Sequence, residues 1–239
     1  MTADKIQTYV SNMRLESKTD EATLDRILDA AASMFAERGI EGVTMRALAE
    51  RSNANLAAVS YHFGGKENLA VAVFRRVARE SADLRMAALD AVLNLAEQEG
   101  RAPSVEEIVT VFVDAYVSTD EPRDGVLLSH FVLKHRANPT AWTNAVVKEE
   151  LDTMAHRFIN LLQQAAPHLS TKEVNWRYHM MVGATVLTLS DRGVTNRINR
   201  LSSGLCSTAE TTEMRDALVR FLTSSFITTD DGTLANSNS

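Results

Sequence analysis

Between Gly39 and Lys66 the chain has room for only two short helices, each marked at its ends by a residue suited to capping or turning. Thr44 stands ahead of MRALAERS (45–52), where its hydroxyl can accept the N–H of Ala47 while Met45, Leu48 and Ala49 face inward. Asn53 suits a left-handed turn, and Asn55 can cap a second helix of about two turns that Gly64-Gly65 stop. Two short helices around such a turn form a helix-turn-helix. Ahead of them Leu24, Ile27, Leu28, Ala31, Met34 and Phe35 make one helical stripe, with Thr19 or Thr23 as its cap and Gly39 as its end.

Beyond Gly65 the periodicity stays helical. A long helix is expected from Lys66 toward residue 97, through Leu69, Val73, Val77, Leu84, Leu93 and Leu95. Ser104 followed by Glu107 is a capping box opening the next helix, and STDEPRDG (118–125) breaks it. Further helices are expected over 125–136, over 140–165 with Leu151, Met154, Phe158, Leu161 and Ala165 on one stripe, and from Thr171 onward. RLSSGLCSTAE (200–210) reads as a loop before a last helix. Ten glycines, four prolines and a 6% aromatic share are few for a sheet fold. The expected fold is all-α with about nine helices. Its expected division is an arm over 1–18, a helix-turn-helix domain over 19–66, a second domain over 67–227 and a tail over 228–239.

The net charge of −6 confines any nucleic-acid-binding surface to one local patch. A single cysteine, Cys206, suits a reducing compartment, and no cationic segment leading into an apolar stretch opens the chain. The longest apolar run, MMVGATVLTL (180–189), is far short of the ~20 residues that span a bilayer. A cytoplasmic protein without membrane contact is expected. Enzyme readings fail on detail: the glycines before Lys66 lack phosphate-loop spacing, no HExxH or clustered cysteine offers a metal site, and no Gly-x-Ser-x-Gly is present. No catalytic residue, metal or cofactor is expected.

RILDAAASMFAERG (26–39) followed by TMRALAERSNANLAAVSYHFGGKENL (44–69) resembles the DNA-binding domain of the tetracycline-repressor (TetR) family. A second resemblance, in NLAAVSYHFGGKENLAVAVF (55–74) and AAPHLSTKEVNWRYHMMVGA (165–184), is to the fatty-acid-responsive branch typified by PsrA. Asn53 departs from the usual Gly, and Asn55 and Leu56 from a common Ser and polar residue, so the operator sequence stays open.

The resemblance implies a homodimeric regulator, a repressor on double-stranded DNA, whose second motif helix enters the major groove. Asn55, Leu56, Ala57 and Ser60 are then placed to approach bases, Ala57 and Leu56 meeting thymine methyls. Tyr61 and His62 point at phosphate oxygens, Thr44 presents a helix N-terminus, and Lys66 and Arg46 supply charge. Residues 44–66 carry only +2, which favours binding as two copies. An isolated Tyr-His pair would read as a partly buried helix end; the surrounding motif reverses that preference.

The larger remainder is implied to bind a small-molecule effector and to dimerise. Candidate walls are Phe112, Tyr116, His130, Phe131, Trp142, Met154, Phe158 and His179, suited to an elongated apolar compound. For any one of them ordinary core packing is the competing reading. Arg136 or Lys134 could meet an acidic head group, or simply lie on a solvated face. Trp176, Met180, Gly183, Ala184 and Leu187, with Met214, Leu218, Phe221 and Leu222, make two apolar helices for a four-helix interface between subunits, against burial within one subunit. The first expectation for the effector is a fatty acid or acyl-CoA, the alternative an aromatic, steroid-like or drug-like compound. A helical ligand-binding protein or enzyme with an incidental helix-turn-helix is the reading from a different class.

Overall fold

The computed structural model describes residues 22–117, 122–191 and 196–228, with side chains throughout except at 122–126 and 135. The expected arm, Thr19 and nearly all of the expected tail lie outside the described residues. The all-α expectation holds. The chain divides after Val73 into two compact units.

In the first unit, α1 covers 22–38, α2 Met45–Arg51 and α3 Leu56–Phe63, and the opening turns of α4 (Lys66–Gln98) belong to it. Ile27, Ala31, Met34 and Phe35 of α1 are buried with Leu48, Val59, Phe63, Leu69 and Val73, so the apolar stripe of α1 becomes one side of a small core. Thr23 lies inside α1, so it is not the cap. The connections follow local chemistry. Gly39 ends α1 at φ 68°, Asn53 turns the chain at φ 49°, and Gly64 stops α3 at φ 67°. Leu69, Ala70 and Val73, in the opening turns of α4, are buried in this unit too.

The second unit holds the rest of α4, then α5 (Val105–Val117), α6 (Pro122–Ala137), α7 (Ala141–Val146), α8 (Asp152–Ala165), α9 (Thr171–Ser190), α10 (Arg197–Leu201) and α11 (Thr211–Ile227). Helix α5 packs on α6, α8, α9 and α11, burying Ile108, Val109, Phe112, Val113 and Tyr116. Its start is the expected capping box: Ser104 Oγ accepts the Glu107 N–H at 3.2 Å, and Glu107 accepts the Ser104 N–H at 2.8 Å. Thr140 and Thr143 cap α7 in the same reciprocal way.

Four expectations need correction. Pro122 to Gly125 are helical, because proline is tolerated in a first turn. The helix over 140–165 is interrupted by a π turn at Val147–Leu151, where Glu149 and Glu150 reach Arg75 (2.8 Å) and Arg79 (3.0 and 2.9 Å) on α4. Residues 200 and 201 belong to α10, whose start is held by Asp191 accepting the N–H groups of Arg197 and Ile198 at 2.7 and 2.8 Å. Leu84 and Leu95 are exposed rather than core.

Candidate functional site

Helix α3 buries Val59 and Phe63 and turns Leu56, Ala57, Ser60 and Tyr61 outward, with Tyr61 87% exposed. Its N-terminus is organised by Asn55, whose Oδ1 accepts the Ala57 N–H at 2.9 Å. That bond commits the Asn55 carbonyl oxygen to capping, so any base contact by Asn55 falls to its amide nitrogen. Thr44 Oγ1 accepts the Ala47 N–H at 3.2 Å and presents the start of α2. Tyr61 and His62 stand edge to face with ring centres 5.5 Å apart, and His62 is half-buried. The reading of this pair as a buried helix end therefore fails for Tyr61.

The charges of this surface are engaged locally. Arg46 lies 3.4 Å from Glu50, one helical turn on, and Lys66 donates to Glu41 at 3.0 Å. Glu41 precedes the motif and offsets one of its few cations. Ser52, buried, donates to the Leu48 carbonyl at 2.8 Å and closes α2.

In the second unit the interface candidates separate. Trp176, Met180 and Leu187 of α9 and Phe221 of α11 are exposed, with Gly183 exposed and Ala184 half-buried between them. Met214, Leu218 and Leu222 are buried in the subunit's own packing, because α11 turns that side toward α5 and α9. Leu187 and Phe221 border an open groove of about 1060 Å³, also lined by Ile198 and Leu201.

The eight expected pocket residues do not gather in one place. Phe112, Tyr116, Met154 and Phe158 are buried, with Phe112 and Phe158 edge to face at 5.5 Å. Phe131 stacks on Phe74 at 4.4 Å, and Trp142 meets the same ring edge-on at 6.3 Å. His130 and His179 are exposed, His179 against Trp176. Arg136 and Lys134 are exposed as well. The residue that sequence reasoning missed is Arg85, fully buried among the first group. Its position in a long charged helix carries no sign of burial; only the packing of α5 and α8 over it does. Among the described residues no group of His, Cys, Asp and Glu could hold a metal ion, and no helix is long and apolar enough to cross a membrane.

A capped, outward-facing helix in a helix-turn-helix unit, followed by a larger all-helical unit, defines a two-unit helix-turn-helix protein. The family model "Bacterial regulatory proteins, tetR family" matches residues 27–73, and "Tetracyclin repressor-like, C-terminal domain" matches residues 110–224. By both units the chain belongs to the TetR family, a family of regulatory proteins rather than enzymes. It is 43% identical over 58 residues to the transcriptional repressor AcnR of Corynebacterium glutamicum, a match covering 24% of this chain and 31% of that one. The match thus spans about a third of that relative's length. To the dual regulator CecR of Shigella flexneri it is 24% identical over 154 residues, 64% of this chain and 68% of that one. A TetR-like regulator from Rhodococcus sp. RHA1 shares the fold with a TM-score of 0.57 at 17% identity, covering 85% of this chain and 93% of the other. A transcriptional regulator from Aquifex aeolicus VF5 does so with 0.54 at 18% identity, covering 84% and 97%.

Proposed function

We propose that this chain is a transcriptional repressor that binds a near-palindromic DNA operator as a homodimer in the cytoplasm and is released by a small apolar or amphipathic ligand. The carrying observation is the outward face of α3: Leu56, Ala57 and Ser60 beside the nearly fully exposed Tyr61. An exposed tyrosine near the end of a helix suits a phosphate oxygen, while the small residues beside it suit base edges. Residues 19–66 form the DNA-reading segment, and 67–227 the ligand-binding and dimerising part. Exposed Trp176, Met180, Leu187 and Phe221 support a second copy of the chain as the cover of α9 and α11. The repressor AcnR among the relatives supports repression.

For the effector, the buried aromatic and methionine side chains around Phe112 and Phe158 support an apolar body. A fatty acid or acyl-CoA is the first reading, given the likeness of residues 55–74 and 165–184 to the PsrA type; an aromatic or drug-like compound is the second. Release requires that the ligand prefer the state that does not bind the operator, and a hundredfold change in affinity needs about 2.7 kcal/mol of coupling.

Fluorescence anisotropy of a labelled fragment from upstream of the chain's own coding sequence tests this, titrated with protein and then with fatty acids, acyl-CoAs and aromatic acids. Tight, salt-sensitive binding reversed by one chemical class is the expected result. Failure to bind this or any other fragment above a random control overturns the reading.

A further inference from the structure

Arg85 lies on α4 with 1% of its surface exposed. Its Nη1 donates to Ser81 Oγ at 2.5 Å and lies 3.9 Å from Met154 Sδ. The other two nitrogens, Nε and Nη2, are buried and have no hydrogen-bond partner. The guanidinium stands over the Tyr116 ring at 4.2 Å and the Phe112 ring at 5.4 Å. Attraction to ring faces returns only part of the cost of burying a charge, and burial pushes the guanidinium pKa down from its ordinary value.

The two open nitrogens form one edge. Nε–H and one Nη2–H point in parallel, spaced for the two oxygens of a carboxylate. Other arginines of the same unit use this edge in that way. Arg79 gives Nε and Nη2 to Glu150 at 3.0 and 2.9 Å, and Arg215 gives the same pair to Asp114 at 2.5 and 2.9 Å. In Arg85 the edge is buried beneath aromatic rings and meets no carboxylate, its polar neighbours being the phenols of Tyr116 and Tyr178.

We infer that Arg85 is the anchor for the head group of the effector, and that the effector is a carboxylic acid with an apolar body. The inference rests on the effector-binding reading above and fixes the acid end of the ligand. Phe112, Tyr116 and Phe158 would flank the apolar body, and Met154, flexible and already against Nη1, is the side chain that would move aside. An acyl-CoA fits less well, since its acyl end is a neutral thioester. Lys134 and Arg136 lie in solvent, where a head group would be screened.

Calorimetric titration of the full chain with dodecanoate, dodecanol, 4-phenylbutyrate and 4-phenylbutanol tests the inference and separates the aliphatic from the aromatic source of the acid. At least one acid should bind about a hundredfold more tightly than its alcohol. Arg85→Met should erase that preference and raise the melting temperature of the ligand-free protein, since it removes a buried charge with two of its three nitrogens unpaired. Arg85→Lys, which keeps a charge but loses the fork, should fall between. No binding by either acid, equal binding of acid and alcohol, or an acid preference that survives Arg85→Met overturns the inference. Should Arg85→Met fail to fold, the native comparison and Arg85→Lys decide. Operator anisotropy on the same samples keeps the two claims apart. Arg85-dependent acid binding without DNA release upholds the anchor and overturns its effector role, whereas DNA release indifferent to Arg85→Met upholds the regulator and overturns the anchor.

Discussion

The ammonium of Lys66 lies 3.0 Å from the carboxylate of Glu41, so the cation at the start of α4 already holds an anion before DNA arrives. An exposed pair of this kind is worth about 0.2–1 kcal/mol, which a phosphate must displace. Lys66→Ala should lower the slope of log affinity against log salt by about one unit per subunit, by loss of counterion release. Glu41→Gln should raise operator affinity about threefold at low salt. Anisotropy across a salt series reads both; an unchanged slope in Lys66→Ala would remove Lys66 from the phosphate contacts.

Tyr61 and Leu48 should separate recognition from folding. Tyr61 is 87% exposed and Leu48 fully buried. Tyr61→Phe is expected to weaken operator binding by about 1 kcal/mol per subunit with an unchanged melting temperature. Leu48→Ala should cost about 2–5 kcal/mol of stability by opening a cavity. Melting curves beside anisotropy distinguish them, and a Tyr61→Phe protein that melts early would place the phenol in the fold rather than on DNA.

Leu187 and Phe221 are 65% and 64% exposed. If a second copy covers them, Leu187→Glu or Phe221→Glu puts an unpaired carboxylate into an apolar interface, at a cost of several kcal/mol. Sedimentation velocity should then show a monomer in place of a dimer, with helical content by circular dichroism retained. A dimer that persists in both variants would move the interface elsewhere.

Glu107 gives a prediction in pH. Arg101 grips its carboxylate at 2.9 and 2.7 Å, and with the Ser104 N–H this holds the pKa at about 2, against an ordinary 4.5. A depressed carboxylate pKa stabilises the fold fully above the ordinary value, and that contribution is lost as pH falls from 4.5 toward 2. Glu107→Gln should therefore cost about 1 kcal/mol at pH 7, a typical capping value, and progressively less in acid. Urea unfolding of both proteins at neutral pH and near pH 3 checks the sign. A difference of equal size at both pH values would mean that the charge is not what holds the cap.

Local chemistry was legible wherever cause and effect lie within one helical turn. The caps at Thr44, Asn55 and Ser104, the left-handed turns at Gly39, Asn53 and Gly64, and the outward face of α3 all follow from single residues or from residues at most four positions apart. The π turn was not legible, because its glutamates answer to Arg75 and Arg79 more than seventy positions away. Nor was the split of α11, whose apolar residues serve the subunit's own core on one side and solvent on the other.

The sequence by itself determined that this protein is helical, where its helix-turn-helix lies and which residues cap it, because short-range hydrogen bonding and apolar periodicity act through neighbours in the chain. Only the tertiary structure decided which of its many charges are exposed, paired or buried. That decision turned Lys66 toward Glu41 and buried Arg85 beneath Tyr116 with Nε and Nη2 unpaired. The energy of a charge is set by the dielectric and the partners around it, and those come from elements distant in sequence.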